Sequence, residues 1–258
     1  MSARMFRVLP FLFLLVTILP ARPLDDEALA AIGRRVWKNE CGGTREGLTS
    51  WNSGENFASL GIGHFIWYPK GVSGPFDESF PELLRFFAAS GVKLPASLRP
   101  DMDCPWKTRA EFQAASRGRQ MGELRDLLAS TITFQSRFLA RRMEQSLPKI
   151  TAGAPPNRRD HVRRQFERLA ASGSGTFALI DYVNFKGEGT NPKERYNGEG
   201  WGLLQVLEGM DANATPPAKG FADAAARVLT RRVKNSPPDR GESRWLSGWT
   251  SRVRSYTE

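Results

Sequence analysis

Trp37-Lys38-Asn39-Glu40-Cys41 and, further on, Ser59-Leu60-Gly61-Ile62-Gly63-His64-Phe65 decide how this chain is read. The first stretch closes a helical pattern. From Asp25 to Asn39, Leu29, Ile32, Val36 and Trp37 fall at helical spacing, and Asp25 and Asp26 open the segment, where anions suit the helix dipole. Glu40 then sits at the helix end, where negative charge opposes the dipole and calls for a reason, although an ordinary surface carboxylate would also fit. In the second stretch, Gly61 and Gly63 let backbone adopt left-handed torsions and come close to a neighbour in a way that a Cβ would block. Trp51, Phe57, Phe65, Trp67 and Tyr68 surround it with flat apolar faces of the kind that line carbohydrate clefts. One acid to protonate a leaving oxygen, facing a hairpin that bears hydroxyl groups to hold or activate a nucleophile, is the equipment glycosidic cleavage requires.

Period and punctuation organise the rest. Asn52-Ser53-Gly54-Glu55-Asn56 is a turn cluster between Trp51 and Phe57–Leu60 and predicts a hairpin. Pro75, Pro81, Pro95 and Pro100 punctuate the next region, with a short helix expected around Glu82–Ala89. Arg109 to Leu147 reads as helix in two or more segments, followed by a Gly/Pro-rich break at Thr151–Asn157. Further helices are expected near Arg159–Ala171, Phe177–Phe185, Trp201–Glu208, Phe221–Lys234 and Glu242–Ser255. The balance predicts an α+β, mainly α, architecture.

In three places, and in one order, the chain resembles phage-type lysozymes (glycoside hydrolase family 24). Ser59-Leu60-Gly61-Ile62-Gly63-His64 with an upstream Glu is similar to that family's active-site segment. Ala178 to Glu188 is similar to its central buried helix, and Asn235-Ser236-Pro237-Pro238-Asp239-Arg240 to its late Pro-x-Arg turn. Together the matches cover about a third of the chain, with none from about 70 to 165. The resemblance implies a lysozyme-like bilobed fold with a hairpin lobe and a helical lobe. After a signal peptide over 1–21, a single domain would span 22–258: catalytic helix and hairpin lobe over 22–90, a helical connector over 91–165, and the helical lobe over 166–258. It further implies cleavage of the β-1,4 bond between N-acetylmuramic acid and N-acetylglucosamine in peptidoglycan or a related amino-sugar polysaccharide. Glu40 becomes the general acid, Arg240 its partner, and His64 a residue packed behind the hairpin. Asn184 and Lys186 would floor the cleft, and Gln205 would face substrate.

The chain departs from the family where its Asp should stand. The interval from Glu40 to Ser59 is longer, Ser53 aligns with the Asp, and no Asp occurs between Glu40 and Asp77. Glu46 and Glu55 are the carboxylates inside the interval, and Glu55 on the hairpin is the candidate base; Ser59, at the family's Thr, could position the attacking water. By a route that needs no second carboxylate, Glu40 alone could work as acid and then base while the substrate's own 6-hydroxyl attacks, as in lytic transglycosylases. A non-catalytic wall-binding protein that kept the cleft is the remaining alternative.

The formal net charge is +10, from 37 Lys and Arg against 27 Asp and Glu. Such a chain is drawn to anionic polymers, the wall among them. Its arginine pairs are scattered, with no basic recognition helix or aromatic-interleaved sheet, so nucleic acid is not the expected partner. Arg4 and Arg7, the apolar run Val8 to Leu19 and Ala21 read as a signal peptide, too short in its core for the roughly 20 residues of a membrane span. Export to the periplasm or medium follows, with an uncleaved anchor as alternative. Cys41 and Cys104, the two cysteines, would then be either bonded or separately buried. No metal-ligand spacing, nucleophile elbow or phosphate loop is present, so no cofactor is expected.

Overall fold

A computed structural model describes residues 24–74 and 76–258; the expected signal segment, 1–21, lies outside them. Helix α1 (Asp26–Cys41) begins where the Asp25 carboxylate accepts from the Ala28 N–H at 2.8 Å and ends at Gly42, which turns the chain with φ 63°. Its Leu29, Ile32 and Val36 are buried, and Glu40 occupies the last turn. Strands β1 (Thr49–Ser50), β2 (Ala58–Leu60) and β3 (Phe65–Trp67) follow as an antiparallel sheet in chain order, with Ser59 opposite both Ser50 and Ile66. Sequence spacing predicted one hairpin; Gly61–His64 proves to be the turn into a third strand.

All five hairpin aromatics expected to line a cleft are instead core. Trp51, Phe57, Phe65, Trp67 and Tyr68 are at most 6% exposed. Phe65 packs edge-on against Phe138, and Trp67 packs against Phe80 and Trp106. A sheet this small has no interior of its own, so its large side chains must be covered by the helices that follow.

Those helices are α2 (Phe80–Ala89), α3 (Arg109–Ala114), α4 (Arg119–Ser130) and α5 (Ile132–Gly153). α5 contains Pro148 and runs past the start of the expected break, stopping at Ala154, just before Pro155. α6 (Arg159–Ala170) leads to α7 (Gly173–Lys186), whose N-terminus is capped by the Ser172 hydroxyl and whose residues 175–183 are all buried. The strands β4 (Arg195–Tyr196) and β5 (Glu199–Gly200), unforeseen from sequence, pair across Asn197-Gly198. Both turn residues have positive φ, as a two-residue hairpin of matched twist requires. α8 (Leu203–Glu208), α9 (Pro217–Asn235) and α10 (Ser243–Arg254) complete the chain. α1 packs on α5, α7 is covered by α6 and α9, and α10 lies along α9.

The architecture is mainly helical with a small antiparallel sheet. Among the described residues no helix is long and apolar enough to cross a membrane. Cys41 and Cys104 are not bonded to each other: both are buried free thiols, each pushed up to about 12 by burial, with the Glu40 charge adding to the effect at Cys41. A thiol so raised stays protonated, and the Cys41 Sγ instead approaches the Gly61 carbonyl at 3.5 Å.

Candidate functional site

The glycine turn is locked from behind. Gln135 of α5 is fully buried; its Oε1 accepts from the Ile62 N–H at 2.9 Å and its Nε2 donates to the Leu128 carbonyl at 2.7 Å. Gly61 has φ 69°, and a Cβ there would meet the Gln135 Oε1 at 2.4 Å. A Cβ on Gly63 would crowd the Phe65 ring and come within 3.1 Å of the Asn184 Oδ1. The glycines thus do what the sequence suggested: they bring the turn against α5 and α7, and with it His64 against the end of α1.

Glu40, 13% exposed at its side chain, is gripped there by three other elements. Its Oε1 accepts from Arg252 Nη2 of α10 at 2.5 Å and from Asn184 Nδ2 of α7 at 3.1 Å. Its Oε2 lies 3.5 Å from His64 Nδ1. His64 itself adopts φ 48° and faces Glu40 rather than packing behind the hairpin. Burial holds the imidazole below its ordinary titration range, opposed by the Glu40 and, more weakly, the Glu55 charge. It is therefore neutral at pH 7.

Behind Glu40 lies a fully buried carboxylate. Asp181 of α7 accepts from Arg252 Nε at 2.8 Å and Nη2 at 2.9 Å, from the Tyr256 hydroxyl at 2.6 Å, and from Asn39 Nδ2 at 3.3 Å. Burial works against the Arg252 charge, but Asp181 and then Glu40 outweigh it and hold the guanidinium protonated. The cluster counts two carboxylates against one guanidinium. Asp181 has every neighbour an ionised carboxylate wants, whereas the Glu40 Oε2 has only a neutral imidazole. Glu40 thus has two side-chain donors on Oε1, while Oε2 faces only the His64 ring nitrogen.

The other expected site residues divide sharply. Asn184 is at Glu40. Lys186, two residues on, lies with its ammonium 3.5 Å from the Trp249 ring centre and 3.9 Å from that of Phe185. Burial, with Arg232 and Arg252 nearby, lowers it to about 6. Glu55 is half-buried on the hairpin, bound to Asn52 Nδ2 at 3.1 Å, and close enough for its charge to be felt at His64.

Three placements differ from expectation. Ser59 is 4% exposed inside the sheet, so it is not open to solvent water. Gln205 does not face a cleft: it is a cross-brace, its Oε1 accepting from Gly202 N at 3.0 Å and its Nε2 donating to the Gly189 carbonyl at 3.1 Å. Arg240 is exposed in a short turn, and the arginine bonded to Glu40 is Arg252. Sequence reading missed Arg252, Asp181 and Tyr256. One signal was available. Asp181 is the sole charge in the apolar run from Phe177 to Val183, and a buried carboxylate needs a partner.

Comparison with protein-family models, curated proteins and solved structures gives no match. Among the described residues no three His, Cys, Asp or Glu side chains converge so as to hold a metal ion. The chemistry on view is that of a partly exposed carboxyl group held between a buried guanidinium and a neutral imidazole, an arrangement suited to proton transfer.

Proposed function

We propose that this protein is a peptidoglycan-cleaving glycosidase with a lysozyme-like fold, acting on the β-1,4 bond between N-acetylmuramic acid and N-acetylglucosamine with Glu40 as proton donor. The observation that carries this reading is the asymmetric grip on Glu40. Arg252 and Asn184 hold Oε1, while Oε2 is the oxygen free to carry the proton. When that proton passes to the leaving oxygen, Glu40 becomes an anion, and Arg252 and Asn184 are already placed to bind it. Such preorganised donors stabilise the transition state without reorganising. The glycine turn and the resemblance of its residues to the phage-type lysozyme segment support the same reaction class.

Glu55 is the group we assign to activating water. It belongs to the hairpin, and its charge reaches His64, which touches Glu40. Ser59, buried in β2, is the weaker candidate. The absence of an Asp between Glu40 and Asp77 favours a second reading, in which Glu40 works alone and the products carry 1,6-anhydro ends. An exported location follows from the signal-like segment and suits a wall substrate.

Glu40→Gln tests the assignment. An amide cannot donate the proton, so the variant is expected to bind purified wall and to clear none of it in a zymogram. Undiminished clearing by the folded variant would remove Glu40 from the reaction.

A further inference from the structure

Away from Glu40, α5 and α6 flank a surface groove of about 490 Å³. Leu147 and Thr151, and beside them Pro148 and Ala152, line it from α5; the members of each pair are four residues apart and so share one helix face. Arg159 and Arg163, also four apart, line it from α6. The floor is thus apolar and one rim is cationic. Thr151 Oγ1 is one of two buried side-chain polar atoms without a hydrogen-bond partner among the described residues, so the wall of the groove carries an unmade hydrogen bond as well.

The charge of α6 is unanswered. From Arg158 to Arg168 the chain carries five arginines against two acids, and none of them forms an ion pair among the described residues. Arg158 and Arg168 engage the backbone carbonyls of Glu208, Ala212 and Ala214. Arg159 donates from Nε to the Ala154 carbonyl and from Nη2 to the Ala152 carbonyl, both at 3.3 Å, which pins its guanidinium at the groove and leaves Nη1 without a partner. Arg163 is exposed, and among the described residues its side chain has neither hydrogen bond nor ion pair.

We infer that this groove docks the protein on an anionic phospholipid surface, with a lipid phosphodiester at Arg159 and Arg163 and the ester end of the acyl chains against Leu147, Pro148 and Ala152. Two guanidiniums lining one groove call for an anion, and their planar donor forks suit the paired oxygens of a phosphate. The apolar floor then separates the possible anions. A nucleic acid duplex or a wall glycan presents charge without an apolar chain to cover that floor, whereas a phospholipid carries both in one molecule. The apolar face of α6 itself, Val162, Phe166 and Leu169, is already buried, so the helix rests on the surface without inserting into it. The inference stands apart from the glycosidase reading, since Glu40 is bound by Arg252, Asn184 and His64 and by none of the groove residues. The basic charge of the whole chain acts as long-range attraction, and the groove as the local contact.

The probe is a vesicle of mixed phosphatidylglycerol and phosphatidylcholine, with pure phosphatidylcholine as reference. Cosedimentation is read on protein purified from residue 22 onward, so that the apolar run from Val8 to Leu19 does not itself bind lipid. Wild type is expected on the anionic vesicles and not on the neutral ones, and is released as salt is raised. Arg163→Ala, which breaks no bond, should weaken partition about fivefold, and Arg159→Ala with Arg163→Ala about 30-fold, the loss that one and two basic side chains near an anionic surface provide. Ala152→Asp keeps both arginines, sets an anion in the groove and should also weaken partition. Lys70→Ala with Lys93→Ala removes the same net charge outside α5 and α6 and should leave partition nearly unchanged. Far-UV circular dichroism shows that each variant is folded. Equal binding of wild type to both vesicles, or equal losses in the two double variants, overturns the docking surface. Retention on duplex DNA or purified wall that falls in the groove variants, with no vesicle binding, also overturns it and assigns the groove to a soluble polyanion. Vesicle binding that holds while wild type clears no wall upholds the docking surface and strikes the glycosidase reading alone.

Discussion

Arg232 and Arg252 stand in clusters that look alike and differ by one charge. Each guanidinium is about nine-tenths buried at its side chain, each is held bidentately by a fully buried carboxylate, and each of those carboxylates also accepts a tyrosine hydroxyl. The tyrosine is Tyr196 for Glu242 and Tyr256 for Asp181. The Arg232 cluster stops there, with one cation and one anion. The Arg252 cluster has a second anion, Glu40, attached through a guanidinium already engaged. A balanced buried pair is scaffold, tying β4 and the start of α10 to α9. The unbalanced one adds a carboxylate that is not fully buried, 13% exposed at its side chain, and so can reach a ligand that the Arg232 cluster cannot.

That contrast breaks most visibly at Asp181. Asp181→Asn leaves Arg252 with Glu40 alone, the one-to-one count of the Arg232 cluster. Removing one partner of a buried pair is expected to cost about 3–5 kcal/mol, and wall lysis should fall as well because the Arg252–Glu40 contact changes character. Glu242→Gln should lose stability of the same order while lysis per folded molecule persists. Urea denaturation and zymography, run on both variants, decide whether the two clusters differ as the charge count says; parallel losses of activity would erase the distinction.

On the hairpin side, Glu55→Gln is expected to lower turnover about 10²-fold, the lower end of acid–base losses, with residual products carrying ordinary reducing ends. Mass spectrometry of the digest reads the outcome. A mild loss with products lighter by one water per cleavage would move the mechanism to the single-acid route and leave Glu40 in place.

An effect on stability alone, and not on lysis, is expected at Lys186, which faces Arg232, Arg252, Glu242 and Glu40. Its ammonium is lowered from 10.5 to about 6 in the folded chain, so between those values the unfolded state holds a proton that the folded state has released. Stability therefore rises with pH across that window, and the cost of burying this group is complete below about 6. Lys186→Met removes the cost. The variant should be more stable than wild type at pH 7, with a gap that closes toward pH 10.5. Thermal melts at both values check the sign, and a gap that widens with pH would contradict it.

Much of the scaffold around the site was legible because it is written in short-range terms. Asp25 before an apolar period set the start of α1 and put Glu40 at its end. Gly61 and Gly63 announced a close backbone approach, and the turn indeed abuts Gln135 and Asn184. The Asn197-Gly198 turn was equally local in origin, and went unread only because its strands are two residues long. The aromatic residues were misread for a different reason. Composition says that Trp51, Phe57, Phe65, Trp67 and Tyr68 are large and flat, but whether a ring faces solvent or core depends on which helix covers the sheet.

By itself, then, the sequence determined the helix that carries Glu40, the glycine turn beside it, the mainly helical architecture and the basic charge, since periodicity, capping and turn chemistry act over a few residues. Tertiary structure alone decided that Arg252 and not Arg240 reaches Glu40, that Asp181 backs it, that Cys41 and Cys104 stay apart, and that the exposed tryptophan lies on α10. Arg252 lies 212 positions from Glu40 in the chain. Contacts at that separation are set by how α10 lies along α9, and the free energy that fixes the packing is spread over the whole buried core rather than written in any one motif.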